Sequence, residues 1–598
     1  MDFVKPYLTA ILVKSKGFSS VARVAKEIRV HLNNSIPQIS WQKSVYETKH
    51  LKCLTQFFSY DTRPAWSTST GTWFDHVNAY AAVLSQGDYS LLHFSDKKYK
   101  EIVLEGIRKK FILSTQFIDA EEINYIFLKD RVIRALWLYG IHQKSTVKAD
   151  SKTVFGADLV DSLDAIGDQT YAYSAARSKV VVGAFDRNVG VNPDKSSLWI
   201  GPMDDWDHLM DVSSDLLTLI TNMKGMESSP IPTLPTPIKV ITGVLNAFDM
   251  DVLLPEQVAG QLGAQAEQMS MMIHAEYGCY ISKGSNNGCD FKLFVDELGN
   301  GLRSFIGSID VCPKMREGKL IYNENYTLSP EPKKATLLNK FARVLSYPDL
   351  LRVWYDSGHI FTVGRAYKVN YRDVSYDNFS WVDFSSADIT KEKPLSLIQP
   401  AGKKPLVDLA NIGKSNSLFC WLVNGWASTI APALWPGWVA DKTFILCDDG
   451  AGEKADFIIC SGMPTGLSIA FVHIKAAGSA SGTKISVSAH DVVLNQAIKN
   501  IRYIDKDTLE NSVDPSATNK FVWEDGVAGS IKDMHNYLKS NNLKRQVSII
   551  VVQPHTRKTF YQNTTATLQR LQLDTLLINA SNVASSLNAS FYIIGNDA

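Results

Sequence analysis

The chain contains 598 residues, of which 45% are hydrophobic and 21% charged, a balance typical of a folded protein that excludes large-scale disorder. This length predicts about three domains of ~100–200 residues each. The formal net charge of +1 excludes a global basic field for nucleic acid, so any such surface must be local. The seven cysteines form no Cys-x-x-Cys pair, which argues against a zinc knuckle or a disulfide framework. Unpaired cysteines and the absence of a secretory pattern after Met1 favour the cytoplasm.

Residues 1–228 are predicted to form a mixed α/β region. The segment from Lys97 to Lys110 has apolar residues at helical spacing, which predicts an amphipathic basic helix with a solvated charged face. Further on, acidic residues flank Trp206, and they could be imagined as a metal cluster. They are better explained as the capped N-terminus of a helix. These residues are Asp204, Asp205, Asp207 and His208.

Two stretches of this region, residues 158–177 and 199–208, are weakly similar to regions that accompany DEAD/DEAH-type helicases in bacterial defence systems. The resemblance implies a helicase or ATPase as a partner protein. Gly413-Lys414-Ser415 looks like the end of a phosphate-binding loop, but the glycine required five residues before Gly413 is Asp408. We therefore expect no nucleotide-driven motor in this chain, so any motor must be another polypeptide.

Two segments that contain prolines are predicted to separate the domains of the chain. Four prolines within residues 230–237 predict an extended connector, and a weaker boundary spans residues 391–405. The middle region, 229–400, is predicted to be β-rich because short apolar runs alternate with Gly and Asn turns. Residues 401–598 form the predicted third region. The expected fold class is a multidomain α/β protein.

The uncharged segment from Ser415 to Val439 is long enough to span a bilayer. Pro432 and Pro436 would interrupt such a helix. We therefore predict a buried core helix that ends near Ile430 and is followed by an aromatic turn, with no membrane contact.

An acidic, Gly-rich turn in the third region leads into the apolar run from Asp456 to Cys460, and a second apolar run ends at Lys475. The linker Gly462-Met-Pro-Thr-Gly466 is typical of a hairpin, so adjacent antiparallel strands are expected to place Asp456 and Lys475 side by side. A carboxylate and an ammonium group buried together are costly, which points to a functional site. A helix over residues 489–504 should pack on the sheet, and residues 546–552 should add a strand.

This arrangement resembles the active-site hairpin of the PD-(D/E)xK nuclease superfamily, with the closest likeness to Mrr-type restriction endonucleases. The resemblance implies a C-terminal restriction-endonuclease-like α/β/α domain with a mixed sheet, and a Mg²⁺ (or Mn²⁺) cofactor. It assigns Asp456 and Glu453 as metal ligands together with the backbone carbonyl of Ile474. It assigns Lys475 to the attacking water, and Gln496 to the phosphate or the water.

The departure from the family pattern is His473, which replaces the acid or glutamine found two residues before the lysine. Imidazole suits Mn²⁺ better than Mg²⁺. Alternation along the strand predicts that His473 shares a face with Lys475 and could join the metal site. The resulting expectation is a metal-dependent endonuclease that hydrolyses nucleic-acid phosphodiesters, with DNA as the expected substrate, in restriction or anti-phage defence. The alternative is a non-catalytic nucleic-acid-binding or assembly subunit with a degenerate nuclease fold. The sequence predicts no oligomeric state.

Overall fold

In the computed structural model the chain divides into two compact units, Met1–Ile141 with Asp150–Pro237, and His142–Ala149 with Ile238–Ala598. The break at Pro237 coincides with the end of the proline-rich segment. The structure describes residues 4–17, 20–48, 51–64, 66–68, 70–142, 149–183, 185–244, 246–255, 268–271, 279–284, 288–295, 304–316, 319–322, 326–328, 331, 339, 347–369, 371, 374–394, 409, 412, 416–450, 453–477, 485, 487–517, 520–540, 544–562 and 567–598. The loop at 413–415 and most of the predicted boundary near residue 400 lie outside these residues, so the third division stays a prediction.

The first unit is built on one antiparallel sheet of eleven strands. The strands are β1 Tyr7–Ser15, β2 Ser40–Glu47, β3 Lys52–Thr62, β4 Asp75–Gln86, β5 Tyr89–Phe94, β6 Thr115–Phe117, β7 Val132–Gly140, β8 Ser151–Phe155, β9 Tyr171–Val182, β10 Phe185–Asn192 and β11 Ser197–Pro202. Their order is β2-β3-β4-β5-β1-β11-β10-β9-β7-β8, with β6 beside β1. The helices are α1 Val21–Ser35, α2 Lys97–Arg108, α3 Ala120–Phe127, α4 Leu159–Ser162 and α5 Trp206–Asn222.

Alternation along the strands gives this sheet two apolar faces. Ile11 and Val13 pack with α1 and α2, whereas Leu8 and Leu12 pack with α3 and α5. The predicted basic helix is α2, with its charged face outside. The acids around Trp206 cap a helix as predicted, because the Asp205 side chain accepts a hydrogen bond from the His208 amide at 2.7 Å. The mixed α/β character of the N-terminal region is therefore confirmed.

The second unit begins with three small sheets that share one core. Their strands are β12 Thr236–Ile238, β13 Ala247–Val252, β14 Cys279–Lys283, β15 Asp290–Val295, β16 Ser304–Asp310, β17 Pro313–Arg316, β18 Lys319–Tyr322, β19 Tyr326–Leu328, β20 Leu351–Tyr355, β21 His359–Thr362 and β22 Arg365–Lys368. The sheet orders are β12-β22-β21-β20-β13, β14-β15-β16-β19 and β17-β18. This part of the chain is β-rich, as the turn pattern predicts.

The same unit ends in a mixed sheet of eight strands in the order β23-β30-β29-β26-β25-β24-β27-β28. The strands are β23 Phe379–Val382, β24 Lys442–Cys447, β25 Phe457–Met463, β26 Gly466–Ile474, β27 Phe521–Glu524, β28 Val527–Ala528, β29 Arg545–Arg557 and β30 Ala589–Asn596. Strands β23, β30, β29 and β26 run parallel, and the remaining pairings are antiparallel. The sheet takes its first strand from residues before 401.

Helices cover both faces of the mixed sheet. They are α6 Leu418–Gly425, α7 Ala431–Leu434, α8 Val487–Lys499, α9 Lys506–Ser512, α10 Ile531–Ser540, α11 Lys558–Tyr561 and α12 Leu568–Ser586. One face packs on α6 and α7. The other face packs on α8 and α12 near β29, and on α9 and α10 near β25. Helices above and below one mixed sheet are the coarse architecture expected of the C-terminal region.

The uncharged segment after Ser415 extends further as a helix than predicted. Helix α6 continues through a π-helical segment, Trp426–Ile430, into α7, so the helical path ends at Leu434 rather than near Ile430. Pro432 lies at the start of α7, directly after the π-helical segment, where the hydrogen bonds already depart from the α-helical pattern. Among the described residues, no helix has both the length and the apolar character needed to cross a membrane.

Candidate metal centre

The predicted acidic hairpin is confirmed as a pair of neighbouring strands. β25 and β26 are antiparallel, with Phe457 opposite Val472, and β29 adds a parallel strand on the far side of β26. Gly466 is required in the turn, since its φ is +143° and a Cβ there would collide with the carbonyl oxygen of Lys544. Helix α8 packs on this sheet through Val493 and Ala497, as predicted.

Three carboxylates converge at the end of the hairpin away from this turn. Oxygens of Asp449, Glu453 and Asp456 lie within 4.8 Å of one another. Asp449 follows the end of β24, Glu453 lies in the loop, and Asp456 directly precedes β25. We call these three residues the acidic cluster. The structure thus brings together the two acids predicted from sequence and adds a third, Asp449.

A buried ion network fixes the loop that carries the acidic cluster. Asp448 is 4% exposed and accepts from two ammonium groups, Lys454 Nζ at 3.2 Å and Lys520 Nζ at 3.0 Å. The Asp448 carboxylate also accepts from the Lys454 amide at 2.9 Å, and its own amide donates to the Asp456 carbonyl at 3.0 Å. Adjacent aspartates therefore differ in role: Asp448 holds the loop, and Asp449 faces the cluster.

Asp448→Asn should lower the free energy of unfolding by about 3 kcal/mol, because it leaves two partly buried ammonium groups without their counter-charge. Denaturant unfolding measures the loss. Asp449→Asn is the matched variant and should cost less, since Asp449 has one ammonium partner, the more exposed Lys393, and also lies among repelling carboxylates. Equal losses for the two variants would contradict the division of roles between the neighbouring aspartates.

Asp456 is the most strongly perturbed acid of the cluster. Burial raises its pKa to about 7, and the charges of Glu453 and Glu392 act in the same direction. A hydrogen bond from the Ile474 amide to Oδ2, 2.6 Å long, and the charge of Lys393 oppose the shift only in part. Asp456 is therefore much easier to protonate than an ordinary aspartate in the absence of an added cation.

Glu453 is held at both its side chain and its backbone. Its Oε2 accepts from the Gly450 amide at 3.0 Å, and its carbonyl oxygen accepts from Asn500 Nδ2 at 3.1 Å. Burial raises the pKa of Glu453 above its ordinary value, and a side-chain hydrogen bond with Asp449 adds to the shift, although the Gly450 amide opposes it. Two of the three acids, Glu453 and Asp456, thus have a pKa raised by burial and by a neighbouring acid.

A second segment, Glu392-Lys393, reaches the site from the start of the predicted boundary at residues 391–405. Lys393 Nζ lies 2.6 Å from Asp449 Oδ1. The segment is anchored at the start of α6, where the Leu418 and Phe419 amides donate to the carbonyls of Lys391 and Glu392 at 2.9 and 3.1 Å. These bonds satisfy first-turn N–H groups that an α-helix leaves free.

Lys475 lies directly after β26 and is paired with Glu392. Its Nζ is 3.0 Å from Glu392 Oε2, which also accepts from the Ala476 amide at 3.3 Å. The Lys475 amide donates to the Val552 carbonyl at 3.1 Å, which keeps the chain against β29 after the strand ends. The Lys475 side chain is 41% exposed, so its ammonium group is accessible from solvent.

His473 is buried beside the hairpin and is not part of the acidic cluster. It is 4% exposed, and its neighbours Val472 and Ile474 pack in the core on the α6 face, so His473 points to the opposite face. Burial lowers the pKa of His473 to about 4, so the ring is neutral at pH 7. Its predicted role as a metal ligand stays a prediction that the geometry does not support.

His473→Glu should destabilise the domain by about 3 kcal/mol or more, because it buries a carboxylate. The preference between Mg²⁺ and Mn²⁺ should not change. Thermal melts and cleavage rates in each metal check both parts, with His473→Leu as an uncharged control that should remain folded. A rise in Mg²⁺-dependent rate without loss of stability would instead place position 473 in the metal site.

The remaining predicted residues occupy different places. Ile474 contributes its amide to Asp456, and Gln496 is exposed on α8. Asn500, which follows α8, makes the contact with the acidic loop. Sequence reasoning missed Asp449, Asn500 and the Glu392-Lys393 segment. Asp449 stands in the same acidic turn and could have been found there, whereas Glu392 and Lys393 carry no local signal.

Comparisons with known proteins found no protein similar to this chain. A scan against protein-family models, a search of curated proteins and a search of solved structures each return no match. The assignment of function therefore depends on the chemistry of the site and on the resemblance carried by the hairpin.

Proposed function

We propose that this chain is a metal-dependent nuclease of the PD-(D/E)xK type that hydrolyses phosphodiester bonds at the acidic cluster. One observation carries the proposal. Three carboxylates meet within 4.8 Å at the end of an antiparallel hairpin, and Lys475 follows the second strand of that hairpin. This is the order of acid, strand, turn, strand and lysine on which the family resemblance was based.

The donor set of the cluster fits a hard divalent cation. All three side chains offer oxygen, which is the ligand that Mg²⁺ and Mn²⁺ prefer. If Glu392, Asp449, Glu453 and Asp456 are ionised, their four negative charges exceed the two positive charges of Lys393 and Lys475 by two. A divalent cation would supply the missing charge, which is consistent with the raised pKa of Asp456.

Each residue at the site has a proposed role in catalysis. Asp449, Glu453 and Asp456 would hold the metal, which when bound would lower the pKa of a water and polarise the scissile phosphate. The amide of Ile474 fixes the Asp456 carboxylate, and Glu392 orients the ammonium group of Lys475. Lys475 would donate to the phosphate oxygens and so stabilise the charge that develops as the water attacks.

The finer assignments extend this proposal. DNA is the proposed substrate, restriction or anti-phage defence the proposed context, and the cytoplasm the proposed location. A helicase or ATPase is the proposed partner, since the weak likeness in residues 158–177 and 199–208 points to helicase-linked systems. These assignments rest on sequence resemblance.

The contacts of the two lysines favour a second candidate function. Lys393 pairs with Asp449, and Lys475 pairs with Glu392. A cluster neutralised by lysines in this way could serve structure alone, as in a non-catalytic nucleic-acid-binding or assembly subunit. The two functions differ in one property, which is metal-dependent hydrolysis.

The experiment that separates them is a cleavage assay with the full chain on supercoiled plasmid, linear duplex DNA, single-stranded DNA and RNA. Each substrate is incubated with Mg²⁺, with Mn²⁺ and with chelator. The proposal expects metal-dependent cleavage of at least one DNA substrate, lost in Asp456→Asn and kept in Glu524→Gln, which removes an equal charge from the Lys442 ion pair elsewhere on the sheet. Nucleic-acid binding with no cleavage in either metal would support the non-catalytic function.

A further inference from the structure

The ammonium group of Lys393 is in direct contact with one member of the acidic cluster, Asp449. Its Nζ is 2.6 Å from Asp449 Oδ1 and 3.9 Å from Glu392 Oε1, and it also lies over the ring of Phe419, 5.7 Å from its centroid. Only 26% of the Lys393 side chain and 9% of the Asp449 side chain are exposed. The pair is thus largely shielded from water, which makes the contact stronger than a surface ion pair.

The charges around Lys393 keep it protonated. A lysine side chain is ordinarily protonated at neutral pH, and the Lys393 ammonium group lies beside the carboxylates of Asp449 and Glu392. The positive charge of Lys393 therefore lies against Asp449 in the metal-free protein. The Lys393 ammonium group is paired with the Asp449 carboxylate, which is one of the proposed ligands of the metal ion.

The backbone next to Lys393 is held by hydrogen bonds, whereas its side chain can change conformation. The carbonyls of the two preceding residues are bound by the first turn of α6. The Lys393 side chain is a flexible four-carbon stem that ends in a compact ammonium group. It can therefore move away from Asp449 without any movement of the backbone. Two positive charges on one buried carboxylate repel each other strongly in a medium of low dielectric constant.

We infer that Lys393 is the resident counter-ion of the acidic cluster and is displaced when a divalent cation binds. This inference rests on the proposed metal site. In the metal-free protein the ammonium group neutralises Asp449 and limits repulsion among the carboxylates. When a metal ion binds Asp449, the side chain swings out, and its charge becomes available to an anionic substrate. Lys393 is thus a positioning residue that sets metal affinity.

The test is a calorimetric titration of the full chain with Mn²⁺ alone, without nucleic acid. Lys393→Met should tighten Mn²⁺ binding by about 10-fold, because no ammonium group has to leave. In chelator the same variant should melt at a lower temperature than the wild type, since its carboxylates lose their counter-ion. Lys391→Met removes an equal charge two residues away, from an ion pair with Asp388, and should change neither value.

A second variant, Lys393→Arg, allows the inference to be tested even if Lys393→Met does not fold. Lys393→Arg keeps the charge and can pair with Asp449 through two parallel hydrogen bonds, so it should weaken Mn²⁺ binding by about threefold or more. Equal Mn²⁺ affinity in the wild type, Lys393→Met and Lys393→Arg would overturn the displacement while leaving the metal site intact. Failure of every one of these proteins to bind Mn²⁺ would overturn the proposed function and the displacement together.

Discussion

Asp456→Asn is expected to abolish metal-dependent cleavage and, at the same time, to make the protein more stable at pH 8. The loss of rate should be at least about 1000-fold, because the substitution removes a charged ligand from the metal site. The gain in stability follows from the raised pKa of Asp456. An asparagine oxygen can still accept the hydrogen bond from the Ile474 amide, so the fold keeps that contact.

The pH dependence of this effect has a definite sign. The pKa of Asp456 is about 7 in the folded protein and about 3.8 in an ordinary environment. Between these values the folded state holds a proton that the unfolded chain releases, so the free energy of unfolding falls as pH rises from about 4 to about 7. A shift of this size corresponds to about 4 kcal/mol of destabilisation, which is fully present above pH 7.

Thermal melts of the wild type and of Asp456→Asn in chelator at pH 4, 6 and 8 measure how the stability of each protein depends on pH. The melting temperatures should be similar at pH 4, and Asp456→Asn should melt several degrees higher at pH 8. Glu524→Gln is the control for the loss of one negative charge and should show no such crossover. A variant less stable than the wild type at pH 8 would mean that Asp456 is satisfied by its surroundings, which contradicts the need for a bound cation.

Lys475→Ala is expected to separate catalysis from metal binding. The cleavage rate should fall by about 100- to 1000-fold, since a group that stabilises the developing charge on the phosphate is lost. Mn²⁺ binding should be kept or become tighter, because the substitution frees Glu392 and makes the site more negative. Single-turnover rates at saturating Mn²⁺, together with calorimetric titration, measure the two effects independently.

Lys475→Arg and Lys391→Ala complete this comparison. Arginine keeps the positive charge but not the compact ammonium group, so partial activity is expected. Lys391 pairs with Asp388 outside the cluster, and its loss should leave the rate unchanged. Full activity in Lys475→Ala would place the phosphate-binding cation at another residue and remove the main likeness to the PD-(D/E)xK hairpin.

The hairpin and its neighbours could be predicted because their signals are local. Apolar runs of strand length, separated by a Gly-Met-Pro-Thr-Gly turn, fix β25 and β26, and helical spacing fixes α8. Strand alternation is a poorer guide to the position of His473 for a physical reason. The strand ends at Ile474, so the alternation that relates His473 to its neighbours does not extend to Lys475.

The rest of the site depends on contacts between distant parts of the chain. Lys393 is 56 positions before Asp449, and only the packing of α6 on the sheet brings the two together. Asp448 and Asp449 are adjacent in sequence, and their different roles follow from Lys454 and Lys520, whose ammonium groups pair with the carboxylate of Asp448 and not with that of Asp449. Neither relationship leaves a pattern in a single sequence.

The most direct test of the central claim is anomalous diffraction from crystals of the protein grown with Mn²⁺. We expect one strong peak at the acidic cluster, about 2 Å from carboxylate oxygens of Asp449, Glu453 and Asp456. The same crystals should show Lys393 turned away from Asp449. Crystals of Asp456→Asn should lack the peak. A wild-type cluster with no Mn²⁺ and with Lys393 still on Asp449 would contradict the assignment of this site as a metal-dependent nuclease centre.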